Sequence, residues 1–111
     1  MTGGRASRQK GDRFEREIVA LFQVHGIAAE RVPLSGAAGG SFSGDISIPI
    51  LGVDQRLEAK IRRSGFKQIR EWMAGNFAVV FRADRSEPLI VLRLADFAKL
   101  TIAADKNRGA A

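Results

Sequence analysis

The apolar positions change period along this chain, and each change marks an element. Over residues 9–25 they fall at Phe14, Ile18, Leu21, Phe22 and His25, the i, i+4, i+7, i+8, i+11 stripe of one helix face. Arg13, Arg16, Ala20 and Gln23 take the outer side, and Gly26 stops the helix as a C-cap. His25 closes the stripe as a boundary residue, with its ring against the rest of the fold. Residues 27–33 (IAAERVP) read as a short strand, and 34–44 (LSGAAGGSFSG) as a glycine- and serine-rich loop. From residue 44 to residue 61 the period falls to two. Residues 44–50 and 53–61 are two strands joined through Leu51-Gly52 as a hairpin. Pro49 has no N–H to donate, which puts its end of the strand at an edge or at the turn. Ser64 caps a helix over 66–74, with Phe66, Ile69, Trp72 and Met73 on its apolar side and Gly75-Asn76 at its end. The runs FAVVFR (77–82) and LIVLR (89–93) are apolar on both faces. They predict buried strands, the first of them central, with ADRSEP as the turn between. Residues 94–102 form a closing helix. The order is α-β-β-β-α-β-β-α, an α/β fold with a mixed sheet and packed helices. Residues 1–111 are expected to form one domain, with 1–7 and 104–111 as flexible ends.

Alternation decides where the chemistry points. In the second hairpin strand Leu57, Ala59 and Ile61 share one face, and Arg56, Glu58 and Lys60 share the other. In the first, Ile46, Ile48 and Ile50 alternate with Asp45, Ser47 and Pro49. If both apolar faces are buried on one side, Asp45, Glu58 and Lys60 emerge together on the other. Two carboxylates and an ammonium make a poor core but suit a Mg²⁺ site for phosphodiester cleavage. Carboxylates hold a hard divalent ion. The ion activates a water and neutralises developing charge, and a cationic side chain positions that water or stabilises the transition state. The backbone carbonyl of Ala59 is a further candidate ligand. The preceding helix carries Glu15 and Glu17, and periodicity does not choose which of them reaches the sheet. D-x₁₂-E-x-K is a short pattern. It gains weight here from its predicted strands, the acid-bearing helix before it and the charge around it.

That charge is strongly basic, with a formal net value of +6 and a pI near 10.8. Between Arg56 and Arg70 stand Arg56, Lys60, Arg62, Arg63, Lys67 and Arg70, with Glu58 the one acid among them. Such a surface meets a polyanion, and Lys10, Arg62 and Arg63 are candidate phosphate contacts. The chain has no cysteine and a single histidine. Disulfides, thiol catalysis, thiolate zinc and His-rich metal sites are thereby excluded. The glycines of 34–44 are followed by no lysine, so they are not a P-loop. No apolar run approaches the roughly 20 residues of a membrane span, and the first residues lack an apolar leader core. A cytoplasmic location is therefore expected. With no tyrosine and no stacking motif, an RNA-recognition module is disfavoured.

Five segments in order then resemble the archaeal- and phage-type Holliday-junction resolvases of the PD-(D/E)xK nucleases, over about residues 8–100. Lys10-Gly11 with Phe14-Glu15-Arg16-Glu17-Ile18-Val19 is similar to the family's K-G-x-x-x-E-R-x-I-V opening. Arg31-Val32-Pro33-Leu34-Ser35-Gly36 resembles its R-x-P-x-S-G segment, Gly44-Asp45-Ile46 stands at its P-D dipeptide, and Leu57-Glu58-Ala59-Lys60 is similar to its E-x-K strand. Gln68 matches a glutamine often found on the next helix.

The resemblance implies a restriction-endonuclease-like mixed five-stranded sheet flanked by helices. It selects Glu15 over Glu17. It makes Glu15, Asp45, Glu58 and the Ala59 carbonyl the ligands of Mg²⁺, with Mn²⁺ able to substitute, and gives Lys60 to the attacking water. Arg31, Ser35 and Gln68 join Lys10, Arg62 and Arg63 as DNA contacts or loop-ordering residues. It further implies a homodimer cutting opposed strands of branched double-stranded DNA in recombination and repair, in phage or host cytoplasm, with no small-molecule substrate. Two departures stand out: Gly44 replaces the proline, and 36–44 carries no basic residue. The alternatives are a nuclease for other branched or damaged DNA, and a non-catalytic DNA-binding module. The presence of Glu15, Asp45, Glu58 and Lys60 together argues against the second.

Overall fold

A computed structural model describes residues 3–32 and 45–110, with side chains described for 8–32 and 45–108. Helix α1 spans Gly3–Val24 and leads into the two-residue strand β1, Glu30–Arg31. Strands β2 (Ile46–Ile50) and β3 (Val53–Leu57) follow, then helix α2 (Lys67–Met73), strands β4 (Ala78–Phe81) and β5 (Leu89–Leu92), and helix α3 (Leu94–Ala110). The elements thus run along the chain in the expected succession. The loop expected over 34–44 lies outside the described residues.

Helix α1 carries its stripe inward as expected. Ile18 and Phe22 are buried, while Arg13, Arg16, Ala20 and Gln23 are exposed. Gly26 takes φ +84°, the left-handed value a helix C-terminus favours, and its N–H bonds to the Gln23 carbonyl at 2.9 Å. Half-buried His25 turns its ring back on its own helix, where Nδ1 meets the Leu21 carbonyl at 2.9 Å. A carbonyl only accepts, so Nδ1 carries the proton.

The hairpin of β2 and β3 forms where alternation placed it, paired from Ile46↔Leu57 to Ile50↔Val53. Both turn residues have positive φ, Leu51 at 52° and Gly52 at 83°. A two-residue hairpin loop needs this to match the strand twist. Ile46 and Ile48 are wholly buried beneath α1 and α3 with Phe22, Ile27, Ala29 and Ala98. The Phe22 and Phe97 rings meet edge to face at 6.3 Å.

Four expectations change. The strands divide into a three-stranded antiparallel sheet, β1-β2-β3, and a separate two-stranded one, β4-β5, rather than a single five-stranded sheet. Neighbouring strands pair through a short turn at small entropic cost, whereas joining β3 to the later pair requires a crossover past α2. Strand β4 is accordingly not central: Val80 and Ile90, opposite one another across the hairpin, are 68% and 58% exposed. The apolar side of α2 is also partly open, with Phe66 and Trp72 exposed and only Met73 buried. Lastly, the helical ends reach further than the stripes. Helix α1 starts at Gly3, and α3 runs to Ala110 through 103–110 instead of fraying. Asp105 explains the second extension, because its Oδ1 accepts the Leu51 N–H at 2.9 Å and ties the last turns of α3 to the hairpin.

Candidate active site

Asp45 meets the Glu58-Ala59-Lys60 segment where β3 ends. Strand β3 stops at Leu57, three residues short of Lys60, so the alternation across Glu58, Ala59 and Lys60 is not that of a paired strand. A side chain replaces the ladder there. The Asp45 N–H donates to the Leu57 carbonyl at 2.7 Å, the last backbone rung. The next donor along, the Ala59 N–H, goes to Asp45 Oδ2 at 2.9 Å. Aspartate commonly competes with backbone acceptors in this way. The half-buried Asp45 carboxylate is thereby fixed against the Glu58-Ala59-Lys60 segment. Lys60 Nζ lies 4.0 Å from Glu58 Oε1, with both side chains more than half exposed. A pair so solvated contributes at most about 1 kcal/mol to stability, which leaves both groups available to a ligand. Ala59 is engaged here through its N–H, whereas the resemblance implies a role for its carbonyl.

Glu15 sits on the inner side of α1, its side chain only 18% exposed, and Arg31 of β1 holds it. Arg31 Nε and Nη2 both reach Glu15 Oε1 at 3.0 Å, and Nη2 also reaches Asp12 Oδ1 at 2.9 Å. Glu17, by contrast, is exposed. Asp12 is the partner the sequence motifs did not mark. Its signal was its place three residues before Glu15, on the same helix face.

A cleft of about 720 Å³ opens between β3 and β5. Phe14, Ile18, Leu57 and Phe97 floor it, and Arg56, Glu58 and Lys60 stand along it. Beside it the 61–64 segment forms two basic hollows. One, of about 390 Å³, brings Lys10 of α1 against Arg62 and Arg63. The other, of about 620 Å³, adds Lys67, Arg70 and the exposed ring of Phe66 to the same two arginines. The structure therefore brings Lys10 together with Arg62 and Arg63. Gln68 is exposed on α2 but lines neither hollow. Ser35 lies outside the described residues.

The donor set has the chemistry of a Mg²⁺ site, since carboxylate oxygens suit a hard cation. The arrangement does not. Among the described residues, no group of three or more His, Cys, Asp or Glu side chains is placed to hold a metal ion. Glu15 accepts from a guanidinium and Asp45 from a backbone amide.

Also among the described residues, no helix is long and apolar enough to cross a membrane. No curated protein and no solved structure matches the chain. The family described as archaeal Holliday junction resolvase (Hjc) matches residues 6–106, a span that holds Glu15, Arg31, Asp45 and the Glu58-Ala59-Lys60 segment. With nearly its whole length matched, the chain belongs to the archaeal Holliday junction resolvase family, whose activity is that of a nuclease on branched DNA.

Proposed function

We propose that this protein is a Mg²⁺-dependent, structure-selective endonuclease that resolves four-way junctions by paired cuts. The observation that carries the reading is the Asp45 carboxylate bonded to the Ala59 amide. It joins the acid just before β2 to the E-x-K segment at one end of the hairpin, in a chain of the resolvase family. Asp45 and Glu58 are the acids of the reaction, and Glu15 supports them from α1. The Ala59 carbonyl and these three carboxylates are the ligands proposed for the ion, with Mn²⁺ as a substitute. Lys60, a solvated ammonium beside Glu58, orients the attacking water and offsets charge on the scissile phosphate. Lys10, Arg62 and Arg63 hold a flanking phosphate run, while Arg31, Ser35 and Gln68 make further DNA contacts. The work is done as a homodimer, since a two-fold substrate suits a two-fold pair of sites. Val80, Phe81, Leu89 and Ile90, apolar and exposed at the turn end of the β4-β5 hairpin, support this as surface for a partner to cover. The protein acts within the cytoplasm, in recombination and repair of host or phage DNA.

The test is cleavage of a labelled four-way junction against a linear duplex of the same sequence, with Mg²⁺ and with chelator. Symmetric nicks in the junction alone, dependent on the ion, are expected. Equal cutting of both DNAs removes the junction assignment and leaves the nuclease. Binding without cutting under any divalent ion removes catalysis. Sedimentation at micromolar concentration checks the dimer, and a monomer bound to the junction refutes it.

A further inference from the structure

Neither burial nor capping accounts for the phenyl ring of Phe66. The residue is the N-cap of α2, where a side-chain acceptor is favoured, and it makes no cap hydrogen bond. It stands outside the buried core cluster and is 38% exposed. Its ring lies instead in the hollow of about 620 Å³, among Arg62, Arg63, Lys67, Arg70 and Glu71.

That hollow is strongly positive. Lys67 Nζ lies 3.9 Å from Glu71 Oε1, an exposed pair that water largely screens. Among the described residues, Arg62, Arg63 and Arg70 pair with no carboxylate. The backbone keeps one of these cations close to the ring. Gly65 takes φ +110°, a value open to glycine, and a Cβ built there would stand 3.9 Å from the Arg62 side chain. The turn thus folds the Arg62 stem back against the residue that precedes Phe66. Phosphates alone would need only the cations. An open aromatic ring among them fits a base together with its phosphate, the pairing of elements that single-strand sites use. The volume is within the roughly 300–1,000 Å³ of small-molecule sites, enough for one nucleotide.

We infer, on the reading of this surface as a DNA contact, that Phe66 is a stacking platform for one unpaired base and that it favours branch points over duplex. Arg62 and Arg63 line both this hollow and the one that holds Lys10. A strand whose phosphates follow Lys10 and the two arginines delivers its next nucleotide to the ring. Within a duplex each base is covered on both faces by its neighbours, so Phe66 meets no open face. Where pairing is interrupted, a base leaves the stack at lower cost. The phosphate contacts are alike for every DNA, whereas the ring contact is made only at such a point. Every base has a π-face, so the platform selects structure and not sequence.

The experiment is binding in chelator, by fluorescence anisotropy, to a four-way junction, a linear duplex of the same sequence, and a short oligothymidylate. A fourth probe is that oligothymidylate with abasic residues, which keeps its phosphates and lacks bases. Wild type is compared with Phe66→Leu, Phe66→Trp and Arg63→Ala, each checked by thermal melting and sedimentation. Phe66→Leu should weaken binding to the junction and to oligothymidylate by at least about five-fold, the low end for one base on one ring. Its duplex affinity should be unchanged, and Phe66→Trp should restore the loss. Wild type should bind the abasic strand more weakly than oligothymidylate by a similar factor, a comparison that needs no variant. Arg63→Ala should weaken binding to all four probes. Junction affinity unchanged in Phe66→Leu, or an equal loss on duplex, overturns the platform. A changed sedimentation coefficient in Phe66→Leu also overturns it, by placing the ring between copies of the chain. If Arg63→Ala binds every probe as wild type does, the DNA-contact reading of this surface falls, and the platform falls with it.

Discussion

Asp45 performs two tasks in this protein, and two substitutions separate them. Its carboxylate accepts the Ala59 N–H at 2.9 Å and is the leading candidate acid of the reaction. Asp45→Asn keeps an acceptor oxygen and removes the charge. A hydrogen bond to a charged group contributes about 1.5–3 kcal/mol and a neutral one about 0.5–1.5 kcal/mol. Asp45 is half-buried, so the loss should lie at the low end, about 1 kcal/mol, or roughly 4 °C in melting temperature for a domain of this size. Asp45→Ala removes the acceptor as well and leaves a half-buried amide to find water, at about 1–3 kcal/mol. Stability should therefore fall in the order wild type, Asn, Ala. Activity should not follow that order. Both variants should lose junction cleavage by at least about 10²-fold, the scale of removing one electrostatic group from an active site. Binding to the junction in chelator should hold or tighten, because one negative charge leaves a surface that faces phosphates. The assays are thermal melting, single-turnover nicking of a labelled junction, and gel shift in chelator. Cleavage by Asp45→Asn within a few-fold of wild type would refute the catalytic assignment. Equal melting losses in Asn and Ala would refute the role of the Ala59 bond.

Other outcomes follow from the same contacts. Lys60→Gln should leave the melting temperature nearly unchanged, since its pair with Glu58 is exposed at 4.0 Å, yet slow nicking about 10²-fold; a stability loss without a rate loss would place Lys60 outside the chemistry. Arg63→Ala should lower the salt dependence of junction binding by about one unit of logarithmic slope, read from titrations at several salt concentrations. Phe22→Ala, at a wholly buried position in the cluster of Ile18, Ile46 and Ile48, should cost about 3–5 kcal/mol by denaturant melt, a large share of a small domain's stability. Gly52→Ala should destabilise by about 1 kcal/mol or more, because φ is 83° and a new Cβ would meet the Arg108 guanidinium at 3.2 Å; an unchanged midpoint would mean that the turn relaxes freely.

Local rules were enough for much of this molecule. The stripe of α1, the stop at Gly26 and the β2-β3 hairpin through Leu51-Gly52 each rest on neighbours in sequence, where period and turn chemistry act directly. The net charge pointed to a polyanion, and the order of five short segments pointed to the resolvase family, which the match over residues 6–106 bears out. What local rules miss is where alternation stops and which distant groups intervene. Residues 53–61 alternate evenly, yet β3 ends at Leu57, because the Asp45 side chain takes the Ala59 amide that a ladder would have used. The last turns of α3 carry little apolar signal, and a carboxylate meeting an amide 54 positions away, Asp105 with Leu51, holds them in place. FAVVFR and LIVLR read as doubly buried, but the turn end of their hairpin is exposed on both faces, and whether a partner covers it is a property of assembly rather than of period. Glu15 was visible as an acid on a helix, but its commitment to Arg31, shared with Asp12, was not. That contact spans 16 positions to Glu15 and 19 to Asp12, and only folding brings the guanidinium between the two carboxylates.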